Sequence, residues 1–72
     1  MRYLVIDQST KYDEFVEEFN TKEEAIAYAD KEWKGMVKAD QDSTVAFYIL
    51  ESVNPDPDSE DHYDGDFVKI YK

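Results

Sequence analysis

The sequence predicts one α+β domain, in which three or four mostly antiparallel strands carry one helix on one face of the sheet. Three observations predict this class: an aliphatic, β-branched segment near the start, a strongly amphipathic helix pattern over residues 21–34, and later apolar segments bounded by turn residues. A chain of 72 residues forms a single domain, residues 1–72, and buries only about 60% of the surface that its unfolded chain exposes.

The first two elements are interpreted as an antiparallel pair of strands. Residues 2–7 contain a Tyr-Leu-Val-Ile run and stop at a polar Asp-Gln-Ser-Thr sequence, which predicts a strand followed by a turn. Residues 11–19 are ambiguous, because their apolar spacing also fits a short helix. We favour a strand over residues 14–19, with its two phenylalanines on one face and Val16 on the other, because a strong helix start follows directly.

The helix over residues 21–34 has clear signals at both ends. Thr21 and Glu24 form a capping box, and Gly35 is expected to take a left-handed C-terminal cap. The helical spacing predicts one apolar stripe that packs on the sheet, made of Ala25, Ile26, Ala29, Trp33 and Met36. The polar face is expected to point to solvent through Glu23, Asp30, Lys31 and Lys34.

The second half of the chain predicts a central strand and a last strand. A polar turn over residues 38–43 precedes residues 44–50, which are apolar on both faces, as is typical of a central strand. A loop over residues 54–66 holds both prolines, and residues 67–71 close the chain as a strand. Val68 and Ile70 are expected on one face of that strand, with Phe67, Lys69 and Tyr71 on the other.

One helix cannot cover both faces of such a sheet. We expect four aliphatic side chains to point to the helix, namely Leu4, Ile6, Val68 and Ile70. The second face then carries Tyr3, Val5, Tyr48, Leu50, Phe67 and Tyr71, and is rich in tyrosine. Two alternatives stay open: the acidic loop or residues 11–19 fold over this face, or the face is exposed and binds a partner or a second copy.

The net charge of −10, from 18 acidic and 8 basic residues, bears on partners. Nucleic acid and the cytoplasmic leaflet are both anionic, and the lysines and Arg2 form no basic run, so direct binding to either is not expected. The chain has no cysteine, which excludes disulfides and thiolate chemistry. We find no leader pattern and no apolar run of membrane-spanning length, and expect a cytoplasmic protein.

Acidic residues are densest between Glu51 and Asp66, where no Lys or Arg occurs. An EF-hand alignment starting at Asp56 fails, because its sixth position is Asp61 instead of Gly and its twelfth is Phe67 instead of Glu. His62 with nearby aspartates offers a weak transition-metal set. A solvated acidic loop is the simpler interpretation, and no catalytic residue, metal ligand set or cofactor is predicted.

Two segments carry a family resemblance, residues 19–29 (FNTKEEAIAYA) and residues 47–55 (FYILESVNP). Together they resemble a family of small, acidic, uncharacterised bacterial proteins found in Firmicutes and their mobile elements. The resemblance implies a bacterial, cytoplasmic origin. It implies no catalytic or binding residue.

These observations predict a small acidic non-enzymatic interaction module or regulator, with a protein partner or a second copy as its target. The predicted contact residues are Tyr3, Tyr48, Phe67 and Tyr71 on the sheet and Asp56, Asp58, Glu60 and Asp61 in the loop. One alternative is an inhibitor that mimics nucleic acid and occupies the basic groove of a DNA- or RNA-binding protein. A second is a weak metal-binding domain that uses the loop over residues 54–66.

Overall fold

The computed structural model describes residues 2–10, 14–54, 56, 58–60 and 64–72. Within these residues the fold is α+β, with one four-stranded antiparallel sheet in the order β2-β1-β3-β4. The sheet carries one long helix, and a second, short helix precedes its third strand. In chain order the elements are β1 (Arg2–Ser9), β2 (Phe15–Phe19), α1 (Lys22–Gly35), α2 (Lys38–Ser43), β3 (Thr44–Ser52) and β4 (Gly65–Ile70).

The ambiguous second segment is a strand, as we favoured. β2 runs antiparallel to β1, with Phe19 opposite Tyr3 and Val16 opposite Ile6. Phe19 packs on the side of α1 and Val16 on the other side, so the predicted alternation is confirmed.

The start of α1 is confirmed, but the left-handed cap predicted at Gly35 is wrong. Thr21 is the N-cap, and its hydroxyl accepts from the Glu24 backbone N–H at 3.2 Å and donates to the Glu24 carboxylate at 3.0 Å. At the other end Gly35 is the last helical residue and has no positive φ. The helix ends when Met36 adopts an extended conformation while its N–H still bonds to the Trp33 carbonyl.

The predicted polar turn before β3 is a helix, α2. It buries none of its residues, so the apolar periodicity that indicates a helix is missing from its sequence. Backbone and side-chain hydrogen bonds hold it instead. The hydroxyls of Ser43 and Thr44 donate to the carbonyls of Ala39 and Asp40, and the Gln41 amide ties α2 to the Trp33 carbonyl at 2.9 Å.

The packing of α1 on the sheet corrects the predicted faces. Ala25 and Ala29 of α1 are fully buried with Val5, Phe47 and Ile49, and their small side chains let the helix approach closely. Ile26, Trp33 and Met36 pack against the same cluster, which confirms the predicted stripe. Leu4, Ile6 and Leu50 form a second cluster on the opposite face, with Val16 and Tyr48. Leu4 and Ile6 therefore point away from α1, and Tyr3 and Val5 point toward it. Both faces are apolar, so alternation alone could not decide between them.

A β-bulge explains why β4 does not alternate as predicted. Ile49 pairs with Lys69 and Leu50 pairs with Phe67, so Val68 is an extra residue between two pairs. Val68 packs toward α1 as expected, and Tyr71 packs there too, although it was predicted on the other face. Ile70 lies opposite Tyr48 and therefore on the far face, which contradicts its predicted position.

Candidate functional site

Two of the four predicted aromatic contact residues lie on the α1 side of the sheet. Tyr3 and Tyr71 both pack against the α1 cluster. The Tyr71 ring contacts Phe47 edge-on at 5.3 Å between centroids, and the Trp33 ring lies at 6.2 Å. The Tyr71 hydroxyl donates to the Asp30 carboxylate, which also accepts from Lys69 at 3.0 Å. We therefore correct the predicted surface: Tyr3 and Tyr71 are not part of a face that points away from the helix.

Asp30, predicted on the solvent-facing side of α1, is partly exposed there and also accepts hydrogen bonds from the end of the chain. Donation by the Tyr71 hydroxyl, and then by the Lys69 ammonium group, lowers the pKa of Asp30. Burial, and then the Asp30 carboxylate, raise the pKa of Tyr71. This cluster attaches β4 to α1 at a partly exposed surface, where the Lys69 side chain is 45% exposed and the Asp30 side chain 32% exposed.

The other two predicted aromatic residues do meet on the face opposite α1. The rings of Tyr48 and Phe67 contact edge to face at 5.3 Å. Ile70 lies beside them, because it is the register partner of Tyr48. We call Tyr48, Phe67 and Ile70 the β4 strip. Phe67 is 63% exposed and Ile70 is 60% exposed, while Tyr48 is half-buried.

The centre of the same face is covered within the chain. Leu4 is 0% exposed, although it lies on the side away from α1, and Ile6 and Leu50 are also buried. A bare sheet face could not bury these side chains so completely. Phe67 and Ile70 are exposed on this side at the edge of the sheet, where β4 has β3 as its one neighbour in the part of the chain that the structure describes.

The three described acidic residues of the predicted contact set are exposed and held in an ordered turn. Asp56, Asp58 and Glu60 all point to solvent. The backbone N–H of Asp56 donates to the side chain of Asn54 at 3.0 Å, and that of Asp58 donates to the Asp56 carboxylate at 3.0 Å. Consecutive Asx turns of this kind fix the direction of the backbone. Asp61, the fourth predicted acidic residue, lies outside the described residues, as does His62.

The acidic segment joins the β4 strip directly. Val53 donates its N–H to the Asp64 carbonyl at 2.9 Å, so the two ends of the segment meet where β3 ends and β4 begins. Asp64 and Asp66 are exposed at the start of β4, immediately before Phe67. Asp66 pairs with Glu51 whereas Phe67 pairs with Leu50, so strand alternation places Asp66 on the other face of β4. The acidic segment therefore adjoins the strip along the chain.

The described residues contain no set of ligands that supports the metal-binding hypotheses. Across residues 2–10, 14–54, 56, 58–60 and 64–72, no group of three or more His, Cys, Asp or Glu side chains is placed to hold a metal ion. One oxygen of the Asp56 carboxylate already accepts the Asp58 N–H.

Sequence reasoning missed Ile70 as a surface residue. Its apolar character and its position two residues from Val68 indicated the core side. The bulge at Val68 shifts it to the other face, and no residue in the last strand signals that irregularity.

Comparisons with protein-family models, with curated proteins and with solved structures give no match for this chain. The resemblance to small bacterial proteins therefore stays a prediction. Within the part of the chain that the structure describes, no helix has the length and apolar character needed to cross a membrane.

Proposed function

We propose that this protein is a small, acidic, non-enzymatic interaction module that binds a protein partner through the β4 strip. The observation that carries the proposal is the exposure of Phe67 and Ile70 side by side at a sheet edge. The partner is a protein with an apolar groove bordered by Lys and Arg side chains.

The strip has the composition of an interface centre. Aromatic side chains bury large areas at low entropic cost and are enriched among the residues that contribute most to binding. Tyr48 supports Phe67 by its edge-to-face contact, so the exposed ring is held in position before a partner arrives. Burial, and then the Glu14 carboxylate, raise the pKa of Tyr48.

Charge selects the partner. The exposed residues Asp56, Asp58 and Glu60 lie in the segment between Tyr48 and Phe67, whose two ends meet at the start of β4, so a basic border on the partner would face carboxylates near the strip. A second copy of this chain would bring another net charge of −10 to the same border. We therefore favour a basic partner over the homodimer.

The geometry of β4 favours side-chain docking over strand addition. A bulge interrupts the β3–β4 ladder at Val68, and bulges bend an edge strand in ways that oppose pairing with a further strand. The bulge also presents Phe67 and Ile70 on the same face. We infer that the partner meets the face of β4, where the two side chains stand.

The test is affinity capture from a bacterial lysate with matched variants. Phe67→Ser removes the exposed ring of the strip. Phe15→Ser is the control, because Phe15 is also an exposed phenylalanine, but it lies in β2 at the other edge of the sheet. We expect Phe67→Ser to lose the captured partner while Phe15→Ser retains it. Equal recovery by both variants contradicts the proposal.

A salt series with a loop variant separates the proposal from nucleic-acid mimicry. Asp56→Asn, Asp58→Asn and Glu60→Gln are combined to remove charge without removing the strip. The interaction module predicts that this variant binds more weakly at low salt but still binds at high salt. Capture of a nucleic-acid-binding protein that is lost in this variant, and unaffected by Phe67→Ser, would instead support mimicry. Sedimentation of the free protein as a dimer would identify a second copy as the occupant.

A further inference from the structure

A cavity of about 240 Å³ lies between α1 and the first two strands, on the side of the sheet away from the β4 strip. Its inner part is lined by Val5 and Phe47, which are both buried. Tyr28 of α1 and Met36, the residue that follows the helix, form a wall. Phe15 lines it from β2 and is 48% exposed, so the cavity opens to solvent along that edge.

Two carboxyl groups line the same cavity. Asp7 lies in β1 and is only 7% exposed, whereas Glu32 lies on α1 and is exposed. A buried carboxyl group is costly unless its surroundings favour it. No Lys or Arg is among the described residues that line the cavity, so its own polar groups offer negative charge alone.

The pKa of the Tyr28 hydroxyl group reflects this local negative charge. Its pKa is raised first by burial and then by the carboxylates of Glu32, Glu17 and Asp7. These groups come from three different elements, α1, β2 and β1. Of these three carboxylates, those of Asp7 and Glu32 line the cavity itself, one from β1 and one from α1.

We propose that this cavity binds a small organic ammonium ion, with the rings of Phe15, Tyr28 and Phe47 around the cation and the carboxyl groups of Asp7 and Glu32 facing its charge. Aromatic faces attract cations electrostatically, and quaternary ammonium groups are bound in cages of aromatic rings. The Met36 thioether and Val5 complete an apolar wall for the methyl groups. This proposal concerns a different side of the sheet and does not depend on the β4 strip.

Size and charge together select this ligand class. Drug-sized ligands occupy clefts of about 300 to 1,000 Å³, and a cavity of about 150 Å³ suffices for benzene. The cavity at about 240 Å³ therefore fits a compact group. Anions would meet the carboxyl groups of Asp7 and Glu32, and a neutral apolar molecule would gain no electrostatic attraction from them.

The experiment titrates the protein with choline and follows amide NMR shifts. The neutral comparison is the alcohol in which carbon replaces the ammonium nitrogen, because it has the same shape without the charge. We expect saturable shifts at residues around the cavity with choline, and binding of the neutral alcohol that is at least about threefold weaker. Equal binding of the two compounds, or no saturable shift with choline, would overturn the proposal.

Variants test the site itself. Glu32→Gln removes the exposed carboxylate at the cavity, and Glu23→Gln removes an exposed carboxylate from α1 that does not line it. We expect Glu32→Gln to weaken choline binding by at least about threefold and Glu23→Gln to leave it unchanged. Equal effects of the two changes would mean that net charge alone attracts choline. Phe15→Ala is the second variant, and it should weaken choline binding without affecting capture of the protein partner.

Discussion

The two faces of the sheet are both apolar, but they differ in how completely they are covered. On the α1 side, Phe47 and Ile49 are covered by a helix whose alanines allow close contact. On the other side, Leu4 is equally buried at the centre, yet Phe67 and Ile70 at the edge are exposed. The difference shows that an apolar strand residue in this fold is buried only where another part of the chain packs over it. On the face away from α1, the side chains of Phe67 and Ile70 in the edge strand β4 are left exposed.

Replacing one phenylalanine on each face should give the largest contrast in stability. Phe47→Ala removes a ring that contacts Trp33 and Tyr71 in the core, and we expect it to lower the free energy of unfolding by about 3–5 kcal/mol. Phe67→Ala removes an exposed ring and should change it by less than about 0.5 kcal/mol. Urea unfolding followed by circular dichroism measures both. Similar losses for the two variants would show that the far side is packed as tightly as the α1 side.

A second pair sharpens the comparison within the far face. Leu4→Ala should lower the free energy of unfolding by about 2–5 kcal/mol, because Leu4 is fully buried. Ile70→Ala, at the exposed edge, should cost less than about 1 kcal/mol. The same urea series checks the pair. If Leu4→Ala lowered the free energy of unfolding as little as Ile70→Ala does, the centre of this face would be exposed to solvent.

The two glycines test how β4 is held against β3. Gly65 has a φ of +154°, and a Cβ at this position would lie 1.8 Å from the Glu51 carbonyl oxygen. Gly65→Ala should therefore lower the free energy of unfolding by more than about 1 kcal/mol. Gly35→Ala is the matched control, because a Cβ at Gly35 meets nothing within 4 Å. At the end of α1 it should be neutral or stabilise the protein by up to about 1 kcal/mol. Thermal unfolding compares them, and a neutral Gly65→Ala would contradict the close β3–β4 pairing.

The smallest effect concerns the polar attachment of β4 to α1. The pKa of Asp30 is lowered by the Tyr71 hydroxyl and then by Lys69, so its contribution to stability is present above the unfolded-state pKa of about 3.9 and is lost as the pH falls through the lower folded-state value. Asp30→Asn should therefore be slightly less stable than the wild type at neutral pH.

The difference in melting temperature between the wild type and Asp30→Asn should narrow in acid. Asp42→Asn, a change at an exposed residue of α2, is the control for loss of one negative charge. A gap between wild type and Asp30→Asn that stays constant down to the acid limit would contradict the role given to the Tyr71 and Lys69 hydrogen bonds.

The sequence predicted those parts of the fold that rest on local signals. Thr21 and Glu24 specified the start of α1, and this strong helix start favoured a strand for the segment just before it. The face of the sheet on which α1 packs could not be predicted from the sequence. Residues on both faces of β1 are equally apolar, and which face the helix covers depends on contacts across the sheet. The short helix α2 was missed because it has no apolar stripe.

The candidate site was predicted in part for the same reasons. Tyr48 and Phe67 do meet on one face, since their spacing and register follow from antiparallel pairing. Tyr71 was misplaced because the bulge at Val68 shifts the alternation along β4. The cavity lined by Asp7, Phe15 and Glu32 was not predicted, since three separate elements bring its residues together.

The central claim is that the exposed edge of the far face, and not the α1 side, binds the protein partner. Quantitative capture by the wild type, Phe67→Ser and Phe15→Ser at one high salt concentration tests it most directly. We predict that Phe67→Ser loses the partner and that Phe15→Ser recovers as much as the wild type. Loss of the partner in Phe15→Ser with full recovery in Phe67→Ser would contradict the claim and place the binding surface on the α1 side.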